Sequence, residues 1–133
     1  GKRFEIQRAE EMARRSLDFI CTSPFVEGKG FSIRYNYADR RWLPRRNPLS
    51  QAQAMHNMLA AYRVAEHRPG IDRTRWATFL RAACDLHAAR VLAAGWRPVS
   101  TNEGFLIAPL AEAAALLEEP RYLEAARKAA DHY

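Results

Sequence analysis

Apolar residues recur at steps of three and four along most of the chain, with polar and charged residues between them. In the first such segment the recurrent apolar positions are Ile6, Ala9, Ala13, Leu17 and Ile20. This spacing puts them on one face of a helix. The pattern therefore predicts an amphipathic helix over residues 6–21, which Thr22-Ser23-Pro24 ends.

The same periodicity predicts two helices in the middle of the chain. Ser50 is a good N-cap for a helix from residue 51 to about residue 67, and Pro69-Gly70 follows it as a stop signal. Asp72 is the expected cap of a third helix, which runs to about residue 94.

Two shorter helices are predicted near the end of the sequence. Ser100 and Glu103 have the spacing of a capping box, although the regular helix is expected only from near residue 108. Pro120 suits the first turn of a last helix over 122–133, which keeps its periodicity to the final residue without a C-cap.

The long connection 22–49 has a different pattern. Apolar and aromatic residues recur at every second position, which places them on one side of a predicted strand: Phe31, Ile33, Tyr35 and Tyr37. The polar segment Ala38-Asp39-Arg40-Arg41 follows, and then Trp42-Leu43. Alternation followed by a polar turn predicts a short β-hairpin.

Together these elements predict an all-α fold of consecutive antiparallel helical hairpins, with a short β-hairpin in the loop 22–49. The chain has 133 residues, enough for one domain with one modest core, so we expect a single helical-hairpin segment over 1–133. Because the last helix shows no C-cap, we expect this segment to be part of a larger domain. Long loops on a helical frame often carry function.

The net charge of +6 is concentrated in part of the chain. Residues 22–50 carry six basic side chains, interleaved with aromatic residues, against only Glu27 and Asp39. Such a segment fits an acidic glycan, a nucleic acid or an acidic neighbouring surface, and a solvated basic face is an equal alternative. A nucleic acid is the weakest of these partners, because the basic excess is divided between a loop and a helix and the last third is acidic.

No membrane, metal or cofactor signature is present in the sequence. The apolar runs are too short to predict a spanning helix, and there is no apolar stretch typical of a signal peptide. The histidines show no metal-pair spacing, and Cys21 and Cys84 are expected to be free buried thiols. We therefore expect no metal and no cofactor; low cysteine use is compatible with a cytoplasmic location.

Several short motifs carry a resemblance to a known family. The segment 51–62, in which Gln51, Gln53, Ala54, Ala61 and Tyr62 match, resembles the Gln-Gly-Gln-Ala…Ala-Tyr helix of D-glucuronyl C5-epimerase catalytic domains. Trp42 and Ser50 look like the Trp and Ser before that helix, and Asn102-Glu103-Gly104-Phe105 is similar to the family's Asn-Gly-Phe segment. The phrase Pro120-Arg121-Tyr122-Leu123 resembles hairpin starts in six-hairpin (α/α)-toroid carbohydrate enzymes more widely. Ala52 departs from the family's helix glycine.

The resemblance implies an (α/α) toroid that acts on a glycan, and its narrower form, to the epimerase, implies an acidic, uronate-containing glycan. A toroid of twelve helices would need well over twice this length, so it also implies that the remaining hairpins belong to a larger chain. It further implies that Asn102 is a substrate-binding residue.

Epimerisation of a uronic acid requires two proton carriers and a cation beside the carboxylate. Tyr35 and Tyr37 are the candidate proton carriers, and Arg34, Arg45 and Arg46 have guanidinium groups suited to a carboxylate. Packing of the two tyrosines as ordinary aromatic residues is the alternative.

Hydrolysis of a glycoside requires two carboxyl groups instead, and Asp39 and Glu103 are the candidates. A turn-forming Asp39 and a capping Glu103 are the simpler interpretation.

Trp42 is the best candidate for packing against a sugar ring, with Gln51, Gln53 and Asn57 as hydrogen-bonding residues for hydroxyl groups. Polar residues are also ordinary at the start of a helix.

The leading hypothesis is a segment that binds and processes a glycan, similar to a uronate C5-epimerase or to a glycoside hydrolase toroid. A non-catalytic helical interaction scaffold is the alternative, which the short hairpins favour and the aromatic loop disfavours.

Overall fold

The computed structural model describes residues 1–133 and is mostly helical, which confirms the all-α class with short hairpins. Five α-helices are present: α1 (Lys2–Ile20), α2 (Pro48–Ala65), α3 (Thr74–Leu92), α4 (Ile107–Leu116) and α5 (Pro120–Ala130). A 3-10 helix, Thr101–Leu106, leads directly into α4. The connection between α1 and α2 holds β1 (Phe25–Val26), β2 (Gly30–Phe31), β3 (Tyr35–Asn36) and β4 (Arg41–Trp42).

The hydrophobic core lies among α2, α3, α4 and α5. Helix α5 packs against both α3 and α4, and α2 packs against α3, α4 and the 3-10 helix. Met55, Leu80 and Leu110 are completely buried there, and Phe31 joins the same cluster from the hairpin region. The periodic apolar positions predicted for these helices therefore form one continuous core.

Helix α1 is attached differently, since none of its residues is buried. Its second half contacts the body: Leu17 and Ile20 pack against the core, and Trp76 Nε1 donates to Asp18 Oδ1 at 2.8 Å. The first half continues the predicted apolar face into solvent, where Ile6 is 58% exposed. The predicted helix is present, but most of its apolar face has no partner in this chain.

The loop between α1 and α2 forms two β-hairpins, so the prediction of a single hairpin was incomplete. β1 pairs with β2 through Phe25 and Phe31, and β3 pairs with β4 through Tyr35 and Trp42. The predicted strand through Phe31 and Tyr35 is therefore divided between two hairpins. At the point of division the Phe31 N–H donates to Gln51 Oε1 at 3.1 Å, a side chain on α2 that lies 20 positions later in the sequence.

The helix boundaries correct two of the predicted caps. Asn47, not Ser50, caps α2: its side-chain oxygen accepts from the Leu49 N–H at 2.8 Å, and Pro48 holds the first helical position. Ser100 makes no side-chain cap before the 3-10 helix. Asp72 does accept the Thr74 N–H at 2.9 Å, and this bond lowers the pKa of its carboxyl group.

The last helix is shorter than its periodicity predicts. α5 ends at Ala130, and the N–H groups of Asp131 and His132 bond back to Arg127 and Ala129. The hydroxyl of Tyr133 donates to the Ser100 carbonyl at 2.9 Å, which ties the final residue to the start of the 3-10 helix. None of the helices is long and apolar enough to cross a membrane.

Candidate functional site

Four aromatic rings cluster where the end of α1 meets the β3–β4 hairpin. Trp42 stacks on Phe19 with ring centroids 5.1 Å apart, and Tyr35 meets Phe19 edge-on at 4.9 Å. Tyr35 also contacts the rings of Trp42 and Tyr37, at 5.3 Å and 5.2 Å. We call these four residues the aromatic cluster.

The aromatic cluster lines an open cleft of about 500 Å³. The other lining residues are Ile20, Ile33, Arg34 and Leu43. Tyr37 is 80% exposed, whereas Trp42 and Tyr35 are half-buried by the cluster itself. The cleft therefore offers ring faces and tyrosine hydroxyl groups to solvent beside one guanidinium group.

The β3–β4 hairpin, which carries Tyr35, Tyr37 and Trp42, is fixed by hydrogen bonds at its base and at its turn. Trp42 Nε1 donates to Thr22 Oγ1 at 3.2 Å, which links the hairpin to the end of α1. At the turn, Asn36 Oδ1 accepts from the N–H groups of Ala38 and Asp39, and Arg40 adopts a left-handed conformation with φ of 51°. These turn contacts fix the strands on which Tyr35 and Trp42 stand.

Of the predicted site residues, Arg34, Tyr35, Tyr37 and Trp42 are brought together in this cleft. Asp39 lies at the turn of the same hairpin, where its carboxylate accepts from Asn36 Nδ2 at 3.0 Å and lies 3.9 Å from Arg41 Nε. Its contacts are those of a turn-forming residue.

The basic side chains of the loop divide into two groups. Arg46 is committed to the fold, because its guanidinium donates to the carbonyl groups of Gly30, Pro44 and Pro24. Arg34 and Arg45 are exposed and take part in none of the ion pairs. Lys29 and Arg40 are likewise exposed and outside the ion pairs, but Arg34 is the basic residue that lines the cleft.

Gln51 has an internal role in place of the predicted contact with a sugar. Its amide is 1% exposed: Oε1 accepts from the Phe31 N–H at 3.1 Å, and Nε2 donates to the Lys29 carbonyl at 2.9 Å. His87 Nε2 lies 3.1 Å from the same Oε1, so the ring must donate through Nε2. Burial lowers the pKa of His87 to about 4, with a smaller contribution from Arg90, which keeps the ring neutral.

Glu103 is also buried, in surroundings that do not fit a carboxyl group flanking a glycosidic bond. Its Oε2 accepts from the Val99 N–H at 2.6 Å, and Oε1 lies 2.5 Å from Arg90 Nη2. The carboxylate thus fixes the start of the 3-10 helix from the inside, as a capping residue does.

The remaining predicted residues lie away from the aromatic cluster. Gln53 and Asn57 are exposed on α2, and Asn102 is half-buried on the 3-10 helix. Gln53 lines a separate groove with Phe105. Sequence analysis missed Phe19, whose only signal was an aromatic residue off the apolar face of α1, directly before the loop.

No group of three metal-ligating side chains is present in the chain. The two cysteines are free, and burial raises the pKa of Cys84 to about 12 and that of Cys21 to about 11. Thiols with such pKa values are poor nucleophiles at neutral pH.

Comparisons of the chain with family models, with curated proteins and with solved structures found no match.

Proposed function

We propose that this chain binds a uronate-containing glycan in the cleft of the aromatic cluster, as one segment of a glycan-processing (α/α) toroid. The observation that carries the proposal is the solvent-open cleft in which Trp42, Tyr35 and Tyr37 meet Arg34. Aromatic faces pack well on the C–H groups of pyranose rings, and tyrosine hydroxyl groups add hydrogen bonds.

The charge around the cleft favours an acidic sugar over a neutral one. Arg34 lines the cleft and Arg45 follows the hairpin, and both guanidinium groups are exposed and unpaired. A guanidinium binds a carboxylate through two parallel hydrogen bonds, a geometry that a neutral hydroxyl group cannot reproduce.

The proposed reaction class is proton transfer beside the sugar carboxylate. Epimerisation needs two proton carriers on opposite faces of the ring. Tyr35 and Tyr37 line the same cleft, with ring centroids 5.2 Å apart. We therefore assign one carrier to this tyrosine pair and the other to the hairpins that complete the toroid. Hydrolysis is less well supported, since Glu103 is buried against Arg90 and Asp39 belongs to a turn.

The uncovered face of α1 supports the larger assembly. A helix of 19 residues without a single buried side chain gains little from tertiary packing, and tertiary packing supplies most of the stability of helices in proteins. Further helical hairpins packed against this face would supply the missing tertiary contacts. The same face is compatible with the second candidate function, a helical interaction scaffold that binds a protein partner.

Affinity electrophoresis tests the proposed ligand class. Gels contain a heparosan-type polyuronate, a neutral glucan or single-stranded DNA. We expect the polyuronate to retard the protein most, and Tyr37→Ala and Trp42→Ala to remove about tenfold or more of the affinity. Because Tyr37 is 80% exposed, we expect its variant to keep the fold, which circular dichroism checks. Trp96→Ala, a tryptophan packed on His132 far along the chain, is the matched control.

Removal of two positive charges at the cleft tests whether binding depends on the charge of the glycan. Replacing Arg34 and Arg45 together by Gln is expected to weaken polyuronate binding and to leave the glucan unchanged, whereas Arg97→Gln with Arg121→Gln changes neither. Equal retardation by the glucan and the polyuronate, or stronger retardation by DNA, would overturn the acidic-glycan assignment. Absence of retardation in every gel would favour the scaffold.

A further inference from the structure

A second concave surface lies on the outside of the molecule, between α2, the 3-10 helix and the start of α4. It is a groove of about 230 Å³, lined by Ala52, Gln53, His56, Phe105, Ala108 and Pro109. None of these residues belongs to the aromatic cluster. The groove has an apolar floor and polar groups along its α2 side, which is the usual arrangement in small-ligand sites.

Phe105 is the largest apolar surface in this groove and is 56% exposed. The short segment that presents it is held rigidly. Glu103 is anchored beneath it by Arg90 and the Val99 N–H. The Tyr133 ring packs so closely on Gly104 that a Cβ atom there would lie 3.3 Å from it. Because the ion pair fixes this segment, the exposed Phe105 side chain is preorganised for contact with a ligand.

His56 contributes a ring nitrogen to the opposite side of the groove. Its Nδ1 lies 3.6 Å from Glu112 Oε2, while Glu112 Oε1 lies 2.6 Å from Arg63 Nη2. The Nδ1 side of the His56 ring thus faces the Glu112 carboxylate, which Arg63 also contacts. Nε2 is the ring nitrogen left for a ligand, beside the exposed amide of Gln53.

We propose that this groove binds an uncharged pyranose ring, with Phe105 packing on the sugar face and His56 and Gln53 hydrogen-bonding its hydroxyl groups. The inference rests on the proposed glycan-binding function and adds a second subsite of different chemistry. The lining residues carry no free cation, in contrast to the cleft with Arg34. The groove therefore selects a neutral sugar where the aromatic cluster selects an acidic one.

Nuclear magnetic resonance of the ¹⁵N-labelled protein tests this subsite, with cellohexaose as the neutral probe. We expect the amide signals of Gly104 and Phe105 and the side-chain amide of Gln53 to shift. The affinity should change little between low and high salt, because no ion pair forms with the sugar. Binding of a heparosan-type oligosaccharide at the aromatic cluster should weaken with salt.

Matched variants separate the groove from the rest of the surface. Phe105→Ala is expected to weaken cellohexaose binding about tenfold, and His56→Ala to weaken it further than His67→Ala, an exposed histidine outside the groove. Val99→Ala, at a side chain that is 90% exposed, is the control for apolar truncation and should bind normally.

The outcomes distinguish the two proposals. Shifts confined to the aromatic cluster with either probe would overturn the neutral subsite and leave the acidic-glycan function standing. Unchanged cellohexaose affinity in Phe105→Ala would overturn it as well. If neither sugar shifts any signal of the folded protein, both proposals fall.

Discussion

At the residue scale, one buried amide decides how the loop sits on the helices. Gln51 joins the backbone of β2 to α2 and, through His87, to α3. The fit requires glycine at position 30, which has a φ of 89° and whose Cβ would lie 1.8 Å from Gln51 Oε1. The sequence analysis assigned Gln51 to the sugar site because its amide lies near Trp42 in the sequence, with ordinary polarity at a helix start as the alternative. Its burial depends on Gly30, which lies 21 positions earlier, and no local pattern records that contact.

Replacing Gln51 by Leu should lower the free energy of unfolding by about 2 to 4 kcal/mol, because the Phe31 N–H, the Lys29 carbonyl and His87 Nε2 all lose their buried partner. Urea denaturation followed by circular dichroism measures this change. Gln53→Leu, two residues away on the exposed side of α2, is the control and should stay within about 0.5 kcal/mol of the wild type. Equal effects of the two substitutions would contradict the structural role of Gln51.

The buried His87 makes stability dependent on pH in a defined window. Its pKa falls from an ordinary 6.5 to about 4 on folding, so the unfolded chain binds the proton first as the pH decreases. Its contribution is complete above pH 6.5 and is lost between pH 6.5 and 4, up to about 3 kcal/mol. The carboxyl groups of Glu11 and Asp72 have lowered pKa values, so their contributions to stability are lost only as the pH falls below their ordinary values of 4.5 and 3.8. In the upper part of the window the decrease in stability is therefore assigned to His87.

Urea midpoints at a series of pH values across this window measure the effect. His87→Gln should remove most of the decrease above pH 5, and His67→Gln, at an exposed position, should retain it. A wild-type midpoint that is constant from pH 7 to 5 would show that His87 is not neutral and buried in solution.

At the element scale, the helices were predictable and the loop only in part, since one of its two hairpins was predicted. Periodic apolar residues identify a helix because its packing face repeats every three to four positions, and all five helices are present at nearly the predicted places. The β-hairpins depend instead on distant partners. Arg46 donates to the carbonyl groups of Gly30 in β2 and of Pro24 before β1, and Gln51 Oε1 accepts from the Phe31 N–H. The break after Phe31 therefore has no signal in the alternation itself.

Helix α1 should be the least stable helix of the molecule. Its first half has no core contact, and its ion pairs, such as Glu11 with Arg14 and Arg15, are exposed and contribute little. Hydrogen exchange followed by mass spectrometry should show amides of residues 2–9 exchanging at the rate of an unprotected segment, while α3 is the most protected. Protection of residues 2–9 equal to that of α3 would mean that their apolar face is covered in solution, for example by a second copy.

At the scale of the whole molecule, the proposed ligand surface combines elements that are distant in the sequence. Trp42 and the two tyrosines were predicted as candidates from their residue types and alternation, and the fold gathers them in one cleft. Glu103 and Gln51 had equally suggestive residue types, yet their polar groups are turned to internal partners. Residue type and spacing therefore predicted the exposed residues of the proposed ligand surface, whereas burial by distant elements decided which polar candidates remain available.

The central claim is that the aromatic cluster is the surface that binds an acidic glycan, and the indole N–H of Trp42 reports on it directly. The protein has three tryptophans, of which Trp76 is buried against α1 and Trp96 packs on His132. The measurement is a titration of the ¹⁵N-labelled protein with a heparosan-type oligosaccharide, followed through the three indole signals. We predict that the Trp42 signal shifts and saturates, together with the Tyr37 amide, while the signals of Trp76 and Trp96 stay in place. An unmoved Trp42 signal at saturating oligosaccharide, in a protein whose other signals are those of the folded state, would contradict the account.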